Sequence, residues 1–224
     1  MPIRNGDWQP NAEKYTSLVF AALQVDSEGS KLLRGRGNKH LEIIMNKISP
    51  TIVGAAGEYY VLSQLLRRGW IAALAPDGAP NMDIVVTDEN NSNLCAIQVK
   101  TRRDIGHDKG WHMKRKHETM SPDDLFYVFV DVGKQPSDPT TCYVLPSQVV
   151  ADCIRQCHQV WMDTPGKGGR SHKDSNVRRL RPDYSSIKPI SQEGRAIVDQ
   201  YRSGWLTHYR ENWSILGLPE ADGF

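Results

Sequence analysis

Two acids, one amide and one lysine stand in otherwise apolar segments of the first half of the chain: Glu58, Asp83, Gln98 and Lys100. Charged side chains are seldom buried unless they are paired or bind a metal. Carboxylate and amide oxygens are ligands that Mg²⁺ accepts, and a bound Mg²⁺ lowers the pKa of water and neutralises charge on a phosphoryl group. A neighbouring lysine can orient the water or stabilise the developing charge. The set therefore suits hydrolysis assisted by a hard cation.

A helix is expected to carry Glu58. Ser49 and Pro50 are typical of a helix start, with serine as the N-cap and proline in the first turn. The helix should run to about Arg68 and stop at Gly69. The neighbours of Glu58 at spacings of three and four are small or apolar, so its carboxylate should lie on the face that packs on a sheet; they are Gly54, Ala55, Val61 and Leu62.

Three strands should follow, at Trp70–Ala75, Met82–Thr87 and Leu94–Arg102. Side chains alternate along a strand, which places Gln98 and Lys100 on one face. An antiparallel hairpin through the polar loop between the second and third strands would bring Asp83 beside them. With Glu58 arriving from the covering helix, four polar groups should converge.

The remaining elements complete a mixed α/β pattern. A helix is predicted near Trp111–Thr119, a central strand at Leu125–Val132 and a strand at Thr140–Leu145. A helix should then run from Ser147 to about Trp161, followed by a flexible basic loop and a last helix. The elements predicted outside this core are a short helix at Asn11–Leu23, the loop Thr164–Pro182 and the helix Gln192–Trp205.

The length of 224 residues suits one domain, with an N-terminal extension at 1–47, a core at 48–145 and a helical and basic-loop C-terminal extension at 146–224. A hydrophobic content of 39% and a charged content of 24% are typical of a globular protein. No apolar run is long enough to cross a membrane, and the start does not resemble a signal peptide. The four cysteines are too scattered for a disulfide framework. We therefore expect a reduced, cytoplasmic setting without membrane contact.

The net charge is only +2, but the positive charge is clustered. Residues 100–117 hold seven Lys/Arg against two Asp, and residues 166–182 hold six against one, a local +5 in each. Such clusters suit a polyanion, and solvated surface is the alternative. The residues predicted to contact a nucleic acid are Arg102, Arg103, His112, Lys114, Lys116, His117, Lys167, Arg170 and Lys173.

Residues from about 50 to 132 resemble the PD-(D/E)xK, or restriction endonuclease-like, nuclease superfamily, whose core is α-β-β-β-α-β. The resemblance is carried by Gly54–Tyr60 (Gly-Ala-Ala-Gly-Glu-Tyr-Tyr), by Pro80–Asp83 and by Gln98–Lys100. It implies a mixed sheet flanked by helices and Mg²⁺-dependent hydrolysis of DNA, with Mn²⁺ able to substitute. Glu58, Asp83 and Gln98 would hold the metal, and Lys100 would be the catalytic lysine. Double-stranded DNA is the expected partner, and a homodimer is compatible with the family.

Two positions depart from that motif. Pro80 stands three residues before Asp83 rather than next to it. Gln98 stands where an acid is usual, and because an amide is neutral it should weaken metal binding. A catalytically inactive module that binds nucleic acid or a protein partner is therefore the alternative, with an enzyme acting on a different substrate as a third.

Weaker patterns suggest other sites. His107, His112 and His117 recur at intervals of five, which does not stack them on one helix face. Cys153, Cys157 and His158 resemble half of a zinc pattern but are more typical of a helix core. A glycine-rich basic stretch, Gly166–Arg170, lacks the full phosphate-loop frame, and Trp111 could stack on bases from within a basic cluster.

Overall fold

The computed structural model describes residues 48–90, 93–103 and 110–219. The first helix of the described residues, α1 (Pro50–Leu66), begins as predicted, because Ser49 Oγ accepts a hydrogen bond from the Thr51 amide at 3.3 Å. The chain leaves the helix through Gly69, whose φ of 76° is unfavourable for other residues. Val61 and Leu65 on α1 are completely buried.

In the described residues, seven strands form two sheets: β1 (Ile71–Leu74), β2 (Ile84–Thr87), β3 (Leu94–Arg102), β4 (Trp111–Lys114), β5 (Leu125–Asp131), β6 (Thr141–Pro146) and β7 (Val177–Leu180). The larger sheet has the order β1-β2-β3-β5-β6, and β4 pairs with β7 in a separate two-stranded ribbon. Neighbours in the larger sheet are antiparallel except β3 and β5, which are parallel. The sheet is therefore mixed, and β5 is internal and apolar, as its composition predicts.

Helices cover both faces of the larger sheet. Under α1 lies the first apolar cluster, which includes Ile97 and Val99 of β3. The opposite face packs against α2 (Ser147–Asp163) and α3 (Gln192–Gln200), with Tyr127 and Phe129 of β5 at its centre. The mixed α/β prediction with flanking helices is confirmed. Short 3₁₀ helices occupy Arg115–Glu118, Lys167–Gly169, Thr207–Tyr209 and Trp213–Leu216.

The helix predicted near Trp111–Thr119 is wrong. That segment forms β4 and then one 3₁₀ turn. Trp111 and Met113 are buried while His112 and Lys114 are exposed, and this alternation with period two is typical of a strand. The helix that covers this side of the sheet is α2, which comes later in the chain.

The stretch predicted as a flexible basic loop, Thr164–Pro182, contains β7. Its strand forms by pairing with β4, with Trp111 opposite Leu180 and Lys114 opposite Val177. A pairing between segments more than 60 residues apart leaves little local signal, because strand preference depends on tertiary context. The helix predicted at Asn11–Leu23 lies outside the described residues. Within the described ranges, no helix is long and apolar enough to cross a membrane.

Candidate active site

Asp83 lies where β2 begins and β3 continues past it. Its amide donates to the Ile97 carbonyl at 2.8 Å, and its Oδ2 accepts from the Val99 amide at 2.7 Å. Because Ile84 is the first β2 residue paired with β3, the Asp83 carboxylate takes the place of a strand partner for Val99. These two bonds reach the β3 backbone on either side of Gln98, so Asp83 lies next to Gln98, as the predicted hairpin requires.

Gln98 is 8% exposed, and its buried Oε1 has no hydrogen-bond partner among the described residues. Tyr127 lies beside it on β5 in the parallel register. An unpaired buried acceptor costs about 1–3 kcal/mol, so such atoms usually have a ligand or a bound water. An amide oxygen in this state is a suitable donor to a hard cation.

Lys100 lies two residues further on β3 and is partly buried. Its Nζ donates to the Val99 carbonyl at 3.3 Å. Burial lowers the pKa of this ammonium, Asp83 and Glu58 oppose that change, and Lys116 and Lys114 add to it. Lys100 is therefore a cation held between two acids and two further lysines.

Glu58 reaches the same region from α1. Burial raises the pKa of its carboxyl, repulsion from Asp83 raises it further, and Lys100 lowers it. The three charges thus lie within electrostatic reach of each other, although α1 covers the face of β3 opposite to Lys100. Side chains from both faces of β3 can meet because the pairing of β3 with β2 stops at Ile97. Beyond that residue this edge of β3 is open.

Close packing of α1 on β3 depends on Gly57. A methyl group at this position would lie 1.8 Å from Thr101 Oγ1. The helix can approach the strand this closely only without a side chain there, and the approach sets Glu58, the next residue, beside the end of β3. Gly54, one turn earlier, has no heavy atom within 4 Å of such a methyl group.

An open cleft of about 420 Å³ lies on the Gln98 and Lys100 face of β3. Its other wall comes from β4, the following 3₁₀ turn and the start of β7, and it is rich in positive charge. Lys116 Nζ donates to Asn81 Oδ1 at 2.7 Å, which ties this wall to the loop before Asp83. The lining residues are Gln98, Lys100, His112, Met113, Lys114, Lys116, His117, Asn176 and Val177.

His117, one of the residues predicted to contact a nucleic acid, is buried at the base of the cleft. It is 3% exposed, and its Nδ1 lies 2.7 Å from the Tyr127 hydroxyl. Burial lowers its pKa to about 4, and the lysines at 100, 116 and 114 lower it in the same direction. The 3₁₀ turn that replaces the expected helix points this imidazole inward, so it is a neutral interior group.

The other predicted nucleic-acid residues differ in their surroundings. Arg102 pairs with Asp131 at 2.8 Å and stacks at 3.9 Å over Trp111, which is buried and donates to the Val130 carbonyl instead of facing solvent. Arg103 donates to the Lys134 carbonyl. By contrast, His112, Lys114, Lys116, Lys167, Arg170 and Lys173 are exposed.

The zinc alternative on α2 finds no support in the geometry. Cys153 and Cys157 are free and buried in the core, and His158 bonds to Asp174 at 3.0 Å. In the part of the chain that the structure describes, no group of three or more His, Cys, Asp or Glu is placed to hold a metal ion. The cluster at β3 has two acids and an amide. His107 lies outside the described residues.

Three contributors to this region escaped the sequence reasoning. Gly57 permits the helix approach, Tyr127 lies against Gln98 and His117, and Arg178 is buried at 3% exposure. Arg178 pairs with Glu118 and Asp174, which fastens β7 to the 3₁₀ turn after β4. For Gly57, the available sequence signal was a glycine directly before an acid on a helix that packs on the sheet.

No family model and no curated protein sequence matches this chain. Among solved structures, the chain is similar to a bacterial homing endonuclease, I-Ssp6803I, with 14% identity and a TM-score of 0.41 over 76% of this chain and 92% of that one. It is also similar to the Holliday junction resolvase Hjc of Archaeoglobus fulgidus, with 14% identity and a TM-score of 0.34 over 63% and 95% of the respective chains.

Proposed function

We propose that this protein is a metal-dependent endonuclease that hydrolyses phosphodiester bonds in DNA. The observation that carries the proposal is the Gln98 amide oxygen, which is buried and unpaired on the same strand face as Lys100. Asp83 bonds to the β3 backbone on either side of Gln98, and Glu58 lies within reach of the Asp83 charge. Structural stability alone does not favour such a cluster, because unpaired polar groups and neighbouring acids both cost free energy.

A divalent cation fits this donor set. Glu58, Asp83 and Gln98 would hold Mg²⁺, or Mn²⁺ in its place, through two carboxylates and one amide oxygen. The positive charge would relieve the repulsion that raises the pKa of Glu58. When bound, the ion would make a water more acidic and neutralise charge on the phosphoryl group.

The protein's own side chains would orient the water, stabilise charge and bind the DNA backbone. Lys100 would orient the attacking water or stabilise the charge that develops on the phosphate. The positively charged wall with Lys114 and Lys116 would hold the sugar–phosphate backbone against the cleft. Asp83, held by the Val99 amide, gives this arrangement a rigid acid at the strand opening.

Plasmid cleavage tests the proposal. Supercoiled and single-stranded DNA would be incubated with the wild type, Asp83→Ala and Lys100→Ala in Mg²⁺ or Mn²⁺, with Lys188→Ala as the surface control. We expect cleavage by the wild type and the control, and its loss in the two site variants. The same background in all four proteins would contradict enzymatic activity.

One observation favours a catalytically inactive module that binds nucleic acid or a protein partner. Gln98 stands where an acid is usual, so the site holds two acids rather than three. Titration calorimetry with Mn²⁺ separates the two functions. No heat of binding in the wild type, restored by Gln98→Glu, together with intact DNA binding, would favour the inactive module, whereas binding by the wild type would support the nuclease.

A further inference from the structure

The two-stranded ribbon of β4 and β7 has one buried and one outward face. Trp111, Met113 and Leu180 join the apolar cluster beneath α2, and Arg178 is buried with them. The outward face carries the alternate residues, which are His112 and Lys114 on β4 and Val177 and Arg179 on β7. It holds two permanent positive charges and no acid.

Position links this face to the candidate site. His112, Lys114 and Val177 line the cleft together with Gln98 and Lys100. Arg115 and Lys116 follow directly on the 3₁₀ turn and are exposed, although Arg115 pairs with Asp174 at 2.9 Å and Lys116 donates to Asn81. A polyanion bound to the outward face of the ribbon would therefore also lie close to Gln98 and Lys100 on β3.

Side-chain contacts anchor the ribbon at both ends, which favours binding without a large ordering cost. Trp111 Nε1 donates to the Val130 carbonyl at 2.9 Å, and Arg102 stacks over its ring. At the other end, Arg178 is clamped by Glu118 and Asp174. Strand alternation thus places Arg178 in buried ion pairs and the half-buried Arg179 on the opposite face of the ribbon.

Size selects the partner. The two strands of the ribbon lie about 4.8 Å apart, so that even with its side chains the ribbon is narrow. The major groove of B-DNA is about 12 Å wide and admits a two-stranded ribbon. Single strands are usually bound on exposed aromatic platforms, whereas the outward face of this ribbon has none in its described residues.

We infer that the outward face of the β4–β7 ribbon inserts into the major groove of duplex DNA. Arg179 and His112, which are cross-strand partners, face the base edges, and Lys114 and Arg115 contact phosphates of the groove wall. This inference takes its DNA partner from the proposed function, but it does not require hydrolysis.

Fluorescence anisotropy in EDTA tests the inference, because it measures binding without metal. A 30-base-pair duplex and a single strand of the same length would be titrated over a salt series with the wild type, Lys114→Ala and Arg179→Ala. Lys188→Ala and Arg202→Ala remove exposed charges outside the ribbon and serve as matched controls. Thermal unfolding checks that each variant is folded, and Lys114→Gln provides a second variant at an exposed position.

Lys114→Ala should weaken duplex binding and reduce the slope of log affinity against log salt by about one unit, whereas Arg179→Ala should weaken duplex binding with a smaller change in slope. The controls should keep the wild-type slope, and single-strand binding should change less than duplex binding. Wild-type affinity and slope in the ribbon variants would overturn the inference, as would equal losses on the duplex and the single strand.

Different experimental results would contradict the nuclease proposal and the ribbon inference. Plasmid cleavage by a protein whose ribbon variants bind duplex normally would overturn the ribbon inference and leave the nuclease intact. Weakened duplex binding by the ribbon variants, in a protein that cleaves nothing with either metal, would support the ribbon and contradict the nuclease.

Discussion

The two faces of β3 differ in what surrounds them. On one face, Ile97 and Val99 lie in the dry apolar cluster beneath α1. On the other, Gln98 and Lys100 lie beside a cleft with positively charged walls. Neighbouring residues on β3 therefore have opposite effects on stability, because apolar burial stabilises the fold and buried polar groups destabilise it.

This difference indicates that residues that stabilise the fold and residues suited to chemistry alternate along a single strand. Because side chains alternate, a substitution on one face leaves the other face largely in place. Substitutions on the α1 face should change the free energy of unfolding, and those on the cleft face should change activity. Four predictions test this division.

The largest expected effect is on cleavage, in Lys100→Met. This change keeps the length of the side chain but removes the charge beside Asp83 and Glu58. We expect the cleavage rate to fall about 10²–10³-fold, as when a donor to a developing charge is removed. The melting temperature should be unchanged or higher, because a partly buried cation is lost. Thermal unfolding and plasmid cleavage measure the two, and a stability loss with full activity would break the comparison.

Ile97→Ala should show the reverse. Ile97 is completely buried, so truncation leaves a cavity and should cost about 2–5 kcal/mol of unfolding free energy. Leu94→Ala on the same strand is the control, because Leu94 is 62% exposed and should stay within about 0.5 kcal/mol of the wild type. Urea unfolding measures both. Cleavage per folded molecule should be retained in both variants.

Gly57→Ala should disturb both faces at once. Its methyl group would meet Thr101 Oγ1, push α1 away from β3 and move Glu58. We expect a loss of about 1–3 kcal/mol in unfolding free energy from overpacking, with reduced cleavage. Gly54→Ala is the matched control, since its methyl group meets nothing and alanine favours a helix by up to about 1 kcal/mol. Equal stability of the two variants would contradict the close approach.

The smallest expected effect is the pH dependence due to His117. Its pKa is about 4 in the folded protein against an ordinary value of 6.5, so the unfolded chain binds more protons between these values. Stability from the neutral imidazole is complete above about pH 6.5 and is lost as the pH falls towards 4, by at most about 2.4 kcal/mol between pH 7 and 4.5. Urea unfolding across this range should show the loss in the wild type. His117→Gln should lack that component, and an identical pH slope in both would contradict a buried neutral imidazole.

Sequence reasoning reached the elements with strong local signals. The Ser49–Pro50 start, the Gly69 stop and the full extent of β3 were predicted because caps and alternation are local properties. The assignment of Gln98 and Lys100 to one face followed from the same period of two. The roles predicted for these residues in catalysis and metal binding stay predictions.

The same reasoning went wrong between β3 and β5. A basic, histidine-containing stretch suggested a helix, although Trp111 and Met113 alternate with His112 and Lys114 as in a strand. The partner strand, β7, lies more than 60 residues away, so its pairing could not be read from either segment alone. The burial of His117 follows from this pairing and was missed with it.

The amino-acid sequence by itself determined which residues could do chemistry, on which strand face Gln98 and Lys100 lie, and where the first helix starts, because capping and side-chain alternation act over a few residues. Only the tertiary structure decided that Asp83 caps the Val99 amide, that Gly57 brings Glu58 to the end of β3, and that a ribbon forms the wall of the cleft. These contacts join residues far apart in the chain, and their geometry depends on packing that no local pattern contains.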